Sequence, residues 1–353
     1  MELGSEYNLS LEDLNIVQDN IFEYLSEYEN CFYFDSGRSA IKHLALHLSS
    51  STKILLPEYI CESVTNCFDK SKIKYYKINE DFSVDIDNVQ NLIENKTTVI
   101  FLMHYFGSLQ PLETLDKLRL LADQSDSIII EDTTHSIFTQ KKTIGDYLIC
   151  SIRKWIPISG GGVLYYNKNK LSICNPNYRK STDNTRSYGM ILKDLFIKKG
   201  FDCNREYRRI FSESEAKLDE QHEICGLSDF SKYIASCVSI NELIDRRKRN
   251  FQQLDEAMQL IGLKTVANFT SMSTPLVYPI RVRNRDAFRS YLMDNRIYCA
   301  VHWPFDNHKP KQRPFAIQNA DKLISLPIDQ RYDSESMQYL IGVVQRYGGD
   351  LLF

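Results

Sequence analysis

What this chain lacks narrows its function before any motif is read. Lysine and arginine total 43 against 46 aspartate and glutamate, a net charge of −3, so there is no polycationic footprint of the kind that attracts nucleic acid or anionic lipid. The first residues, "MELGSEYNLSLEDLNIVQDN", lack both the basic and the apolar parts of a secretory signal, and no later apolar run approaches a membrane span. These absences predict a cytoplasmic protein with no nucleic-acid or membrane partner. Nine cysteines are scattered without a C-x-x-C pair, which reads as reduced thiols buried as small hydrophobes and argues against structural zinc. No proline, glycine or glutamine tract suggests a disordered arm.

What is present is alternation. "CFYF", "KILLP", "KIKYYKI", "TTVIFLMH" and "SIIIED" are strand-like runs separated by helical stripes such as Ala40, Ile41, Leu44, Ala45 and Leu48, or Leu112, Leu115, Leu118 and Leu121. Continuous apolar strands between amphipathic helices predict an α/β fold, a mostly parallel central sheet covered by helices on both faces. "GDYLICS" and "GGVLYYN" add two strands. Residues 170–226 are polar and poorly periodic and read as an irregular region able to form an interface. One long helix is predicted next, capped by Ser228 and marked by Phe230, Ile234, Val238, Phe251, Leu254 and Met258. The rest reads as a smaller α/β domain whose last helix stops at Gly348 and Gly349. The division is therefore 1–226 for the large domain and 227–353 for the long helix and small domain.

Ligands of open α/β sheets collect at the carboxyl ends of strands. In "FDSGRSA", Ser36, Gly37, Arg38 and Ser39 lie between a strand and a helix start, either as an anion site or as a plain cap. "IIIEDTTHS" closes a buried strand with Glu131 and Asp132, followed by His135; a carboxylate there needs a cation or donor unless it caps the turn. "MHYFGSLQP" puts His104 and Tyr105 after the most apolar strand, His104 as a core residue or a catalytic one. "CSIRKWIPISGGG" sets Ser151 three residues before Lys154, ahead of a tryptophan and three glycines. A lysine shielded by that tryptophan would be a weaker base suited to imine chemistry, and the glycines would let backbone approach a flat ligand. The alternative is an exposed turn and a flexible loop. Together these stations match the phosphate, pyridine nitrogen and aldehyde of pyridoxal 5′-phosphate.

The runs "SGRSA", "ILLPEYICESV", "HYFGSLQPLETL", "IIIEDTTHS", "SIRKWIPISGGGVLYY", "VHWP" and "ISLPIDQRY" resemble, in order, those of the DegT/DnrJ/EryC1/StrS sugar aminotransferases, which have the fold-type I architecture of pyridoxal-phosphate enzymes. The resemblance implies Lys154 as the Schiff-base lysine and Asp132 as partner of the pyridine nitrogen. It implies Gly37, Arg38, Ser39 and Ser151 as phosphate holders and His135 beside the ring and its phenolic oxygen. It also implies a homodimer with shared active sites, with 170–226 as the arm reaching the partner, and a keto sugar and an amino donor as substrates.

Three positions depart from the family pattern. Cys61 stands where many members place an aromatic ring over the cofactor, with Tyr59 or Tyr105 as replacements; "GRSA" stands for "GT-x-A"; and Ser159 replaces an acid ahead of the glycines. Tyr105 and His302 are the expected substrate contacts. The reading is amine transfer from glutamate to a keto sugar for a surface polysaccharide or related glycan. Its alternatives are a dehydratase-like enzyme of the same fold, against which Lys154 speaks, and a non-catalytic cofactor-binding protein. No metal is expected.

Overall fold

The apolar run after residue 97 forms the strand Thr98–Met103, buried along its whole length, and so does Ile128–Asp132. Such strands cannot face water on either side, which is why they belong to a parallel sheet covered by helices. The computed structural model describes residues 2–12, 14–93, 98–140, 143–176, 178–303, 313–347 and 351. The fold is α/β with a mostly parallel central sheet, as the sequence predicts. The chain divides into two compact units of interleaved segments.

The first unit comprises the segment up to Ser5, Ser49–Gly145 and the chain from Glu242 onward. Four of its strands pair in the order Ile128–Asp132, Thr98–Met103, Lys53–Pro57, Ile73–Tyr76, all parallel. The helix Leu112–Gln124 buries Leu115 and Leu118, while Leu112 at its start is exposed. A separate antiparallel pair, Tyr278–Arg281 with Leu323–Leu326, carries the C-terminal core. There Tyr278, Ile280, Phe288, Ile324, Met337 and Leu340 pack as one cluster. The last helix spans Ser334–Arg346. The predicted stop at Gly348 and Gly349 lies outside the described residues.

The second unit, Glu6–Leu48 and Asp146–Asn241, has the strands Asn30–Phe34, Gly162–Tyr166 and Tyr147–Ser151 in antiparallel order. The helix Gly37–Ala45 buries Ala40, Ile41 and Leu44, the predicted stripe.

Two expectations are corrected here. Residues 170–226 are not wholly irregular, because they contain the helices Thr185–Lys199 and Asn204–Glu220. The second helix hides its period beneath charge: Arg209 pairs with Glu206 and Glu213, each at 2.6 Å, while Tyr207, Ile210 and Phe211 form its buried stripe. Gly189 lets the two helices meet, since a Cβ there would lie 2.9 Å from Ile210 and 3.1 Å from Phe211. The predicted single long helix is also two, Asp229–Ser236 and Ile240–Leu260. Ser228 caps the first as expected, its side chain accepting from Ser231 N–H. Asp19 starts the second: its carboxylate accepts from Asn241 N–H and the Ser239 hydroxyl, and its carbonyl from Ile240 N–H.

Candidate active site

In the second unit the strand Tyr147–Ser151 runs into a single 3₁₀ turn, Ile152–Lys154. Ile152, Trp155, Ile156 and Ile158 are buried, and this apolar anchoring leaves Lys154 exposed. The expected shielding of Lys154 by tryptophan is therefore not seen within this turn, because the indole points into the core. Tyr7 steadies the turn from the other side, its hydroxyl donating to the Trp155 carbonyl at 3.0 Å and reaching the Lys154 carbonyl at 3.4 Å.

The glycines have a different use from the one predicted. A Cβ on Gly160 would lie 2.4 Å from the Asp35 carbonyl, and one on Gly162 would lie 1.9 Å from that of Ser36. Gly161 has φ +142° and donates its N–H to the Asp35 carbonyl at 3.0 Å. The three glycines thus press backbone against the Asp35–Gly37 turn, and that contact accounts for them without any flat ligand.

The contact joins two predicted stations. Ser36 caps the helix Gly37–Ala45, its hydroxyl oxygen accepting from Ser39 N–H at 3.1 Å, and the Ser39 hydroxyl lies 3.1 Å from the same oxygen. Both readings of this segment share one geometry: the cap ties up Ser36 and Ser39, and the helix N-terminus begins at Gly37. A Cβ on Gly37 would meet Ser151 Cβ at 3.2 Å, so Ser151 lies directly against that N-terminus.

Arg38 and Arg153 both turn to the helix Asn204–Glu220. Arg38 reaches Glu215 at 3.4 Å and Asp219 at 2.8 Å. Arg153 forks onto both Glu215 oxygens at 3.1 Å, and Arg186 adds a third contact at 3.2 Å. Arg153 is thus a structural ion-pair partner. Burial alone would raise the Glu215 pKa, but Arg153, Arg186 and Lys154 bring it down to about 2. Glu6, hydrogen-bonded to Arg186, shows the same competition: burial pushes it up, and Arg186, Arg153 and Lys154 pull it lower. Ser159 shares a 3.0 Å hydrogen bond with Ser231.

In the first unit the strand Ile128–Asp132 delivers two buried carboxylates in different settings. Glu131 accepts from His104 Nε2 at 3.0 Å and from the N–H groups of Ile144 and Gly145 at 2.9 and 2.8 Å. His104 Nδ1 accepts from Gln110 N–H at 3.1 Å, which assigns the ring proton to Nε2. Between two fixed partners and wholly buried, His104 is a core residue. Asp132, at the strand end, accepts from Thr134 N–H at 2.8 Å.

His135 is buried, with Nδ1 accepting from Phe106 N–H at 3.2 Å. Trp303 stacks on it, the ring centroids 5.6 Å apart and the planes 18° from parallel, and His302 meets it edge-on at 5.4 Å. His135, His302 and Trp303 therefore share one region; Trp303 stands beside His302 in "VHWP", where His302 alone was expected to act. His302 Nδ1 lies 3.0 Å from the Ser325 hydroxyl.

Tyr105 is buried and donates its hydroxyl to the Tyr59 carbonyl at 2.8 Å; desolvation raises its pKa well above the usual phenol value, so it stays a protonated donor. It also lines a cavity of about 750 Å³ beside Phe82, Leu109, Leu112 and Met272, which includes neither Asp132, His135 nor His302. Cys61 begins the short helix Glu62–Thr65, and the Ser63 hydroxyl donates to its sulfur at 3.0 Å. No helix among the described residues is long and apolar enough to cross a membrane.

The α/β fold with a mostly parallel central sheet is the fold of solved sugar aminotransferases. Residues 22–170 match the model of the DegT/DnrJ/EryC1/StrS aminotransferase family. The chain is 22% identical over 284 residues to the dTDP-3-amino-3,6-dideoxy-alpha-D-galactopyranose transaminase of Aneurinibacillus thermoaerophilus, covering 76% of this chain and 70% of that protein. Among solved structures it shares its fold with the sugar aminotransferase CalS13 of Micromonospora echinospora (TM-score 0.64, 16% identity, 93% of this chain and 89% of that one). The same fold is found in NtdA of Bacillus subtilis with bound cofactor PMP (TM-score 0.62, 17% identity, 92% and 74%).

Proposed function

We propose that the protein transfers an amino group from glutamate to a keto sugar, nucleotide-linked forms included, for a surface polysaccharide or related glycan. The observation that carries the reading is the packing of Ser151 against Gly37, with Lys154 exposed on the next turn. A phosphate and an amine-reactive group of one small molecule fit such a pair.

The residues fit the cofactor. Gly37 lets Ser151 pack against the helix N-terminus, where backbone N–H groups favour an anion and the Ser151 hydroxyl would add a donor. Asp132, desolvated at a strand end, is the acid a protonated pyridine nitrogen needs. When bound, the cofactor supplies an aldehyde that carries nitrogen between donor and acceptor and a ring that withdraws electrons.

In this reading Gly37, Arg38 and Ser39 hold phosphate through the helix N-terminus, and the Ser151 hydroxyl adds a donor. Asp132 keeps the proton on the pyridine nitrogen. His135, its Nδ1 accepting from Phe106 N–H, would offer Nε2–H to the phenolic oxygen. Lys154 would hold the cofactor through its side-chain amine, and that amine would carry the proton that amine exchange requires. Tyr105 and His302 border the sugar, with Tyr105 acting from the buried side. A cytoplasmic homodimer completes the proposal, with the helices Thr185–Lys199 and Asn204–Glu220 as the arm; Tyr188 and Phe201, 54% and 59% exposed, suit a partner surface. The division at 226/227 into cofactor and C-terminal domains belongs to the same proposal.

The test is the cofactor spectrum and half-reaction of the purified protein. Lys154→Ala is expected to lose the visible band of the bound cofactor, and the wild type to convert the cofactor to its amine form with glutamate. An unchanged spectrum in the variant overturns the lysine assignment; no conversion with any amino donor supports a binding protein instead.

A further inference from the structure

Resting on that cofactor reading, we propose that Trp303 supplies the aromatic face for the pyridine ring, a role that Cys61 has no ring to fill. A protonated pyridine ring is flat and electron-poor, and an indole is the side chain best suited to cover it. Around Asp132 and His135 the other aromatic rings are committed. Tyr59, 1% exposed, is enclosed by Phe82, Tyr105 and Phe315. Tyr105, 2% exposed, has its hydroxyl bound to the Tyr59 carbonyl, and Phe106 is fully buried. The Cys61 sulfur is occupied by Ser63.

Trp303 differs from all of them. It is only partly buried, it lies nearly parallel to the His135 ring, and its indole approaches Tyr59 at 5.1 Å. It therefore links the turn after Lys53–Pro57, which carries Tyr59 and Cys61, to the turn after Ile128–Asp132, which carries His135. A ring held beside His135 would meet the indole there. The chain's other tryptophan, Trp155, is fully buried and offers no face.

The experiment titrates the apoprotein with pyridoxal 5′-phosphate, following the visible absorbance and induced circular dichroism of the bound cofactor. Wild type and Lys154→Ala are measured first; if the wild type shows no Lys154-dependent band, the cofactor reading itself fails and not the role of Trp303. Given that band, Trp303→Ala is expected to weaken cofactor binding roughly tenfold and Trp303→Phe by about twofold at most. The added change Cys61→Phe in the Trp303→Ala background should restore most of the loss, because it returns a ring to the same face. A merely structural tryptophan would not be rescued from position 61. Wild-type affinity in Trp303→Ala, or no recovery on adding Cys61→Phe, overturns the proposal. Should Trp303→Ala not fold, Trp303→Leu takes its place in the same comparison.

Discussion

The backbone N–H of Phe106 meets Nδ1 of His135 at 3.2 Å, from a main chain held in the left-handed region at φ +62°. That conformation costs a non-glycine residue about 1 kcal/mol, and the neighbouring Gly107 tightens the turn further, since a Cβ on it would lie 2.3 Å from the Thr274 carbonyl. The turn in "HYFG" thus fixes which nitrogen of His135 accepts, and with it which one donates.

Replacing His135 should therefore separate two effects. His135→Phe removes the acceptor of a buried N–H and is expected to cost about 2 kcal/mol in urea or guanidinium unfolding. His135→Gln, whose side-chain oxygen can accept, should lose less than half of that. Equal losses would show that the Phe106 contact contributes nothing.

The three glycines give a second contrast. Gly162→Ala forces a methyl to within 1.9 Å of the Ser36 carbonyl, so the Asp35–Gly37 turn must move. The expected loss is about 3 kcal/mol, with weaker cofactor binding, because that turn starts the helix at Gly37. Gly200→Ala meets no atom within 4 Å and has only its φ of +71° to strain, so about 1 kcal/mol is expected, with no change in the cofactor spectrum. Thermal unfolding and cofactor titration of the two variants check the ranking.

These contrasts also mark what could be read from residues alone. The Ser36 and Ser228 caps, the buried strands and the lysine turn depend on neighbours within a few positions, and local pattern reveals them. The role of Arg153 depends on Glu215, 62 residues away, and that of Gly162 on Ser36, so neither follows from a motif. The break in the long helix is set by Asp19, more than 200 residues earlier, whose side chain caps the restart at Ile240. The helix Asn204–Glu220 was obscured because its exposed face carries paired charges that dilute a three-residue apolar stripe. Trp303 was passed over because its importance rests on ring geometry with His135.

His104 provides a test of the core reading. His104→Ala removes the Nε2–H donor from the wholly buried Glu131, an expected loss of about 3 kcal/mol. The visible band of any cofactor bound by the surviving folded protein should keep its position. A band shift at intact stability would instead put His104 in the active site.

Glu215 sets a pH dependence whose sign follows from its neighbours. Its ordinary pKa of 4.5 falls to about 2 in the folded protein, where burial is outweighed by Arg153, Arg186 and Lys154. A carboxyl depressed on folding adds stability that is complete above the unfolded value and is lost as pH falls from about 4.5 toward about 2. The side chain is 40% exposed, so solvent screening reduces the gain and Glu215→Gln should cost only about 1 kcal/mol at pH 7. The difference between wild type and variant should narrow steadily as pH is lowered through that window, and it should shrink in high salt, as an exposed ion pair requires. Unfolding curves at pH 7, 5, 4 and 3 read this directly: a gap that stays constant would mean that the arginines hold Glu215 through packing and neutral hydrogen bonds, and that its charge does not tie Arg38 and Arg153 to this helix.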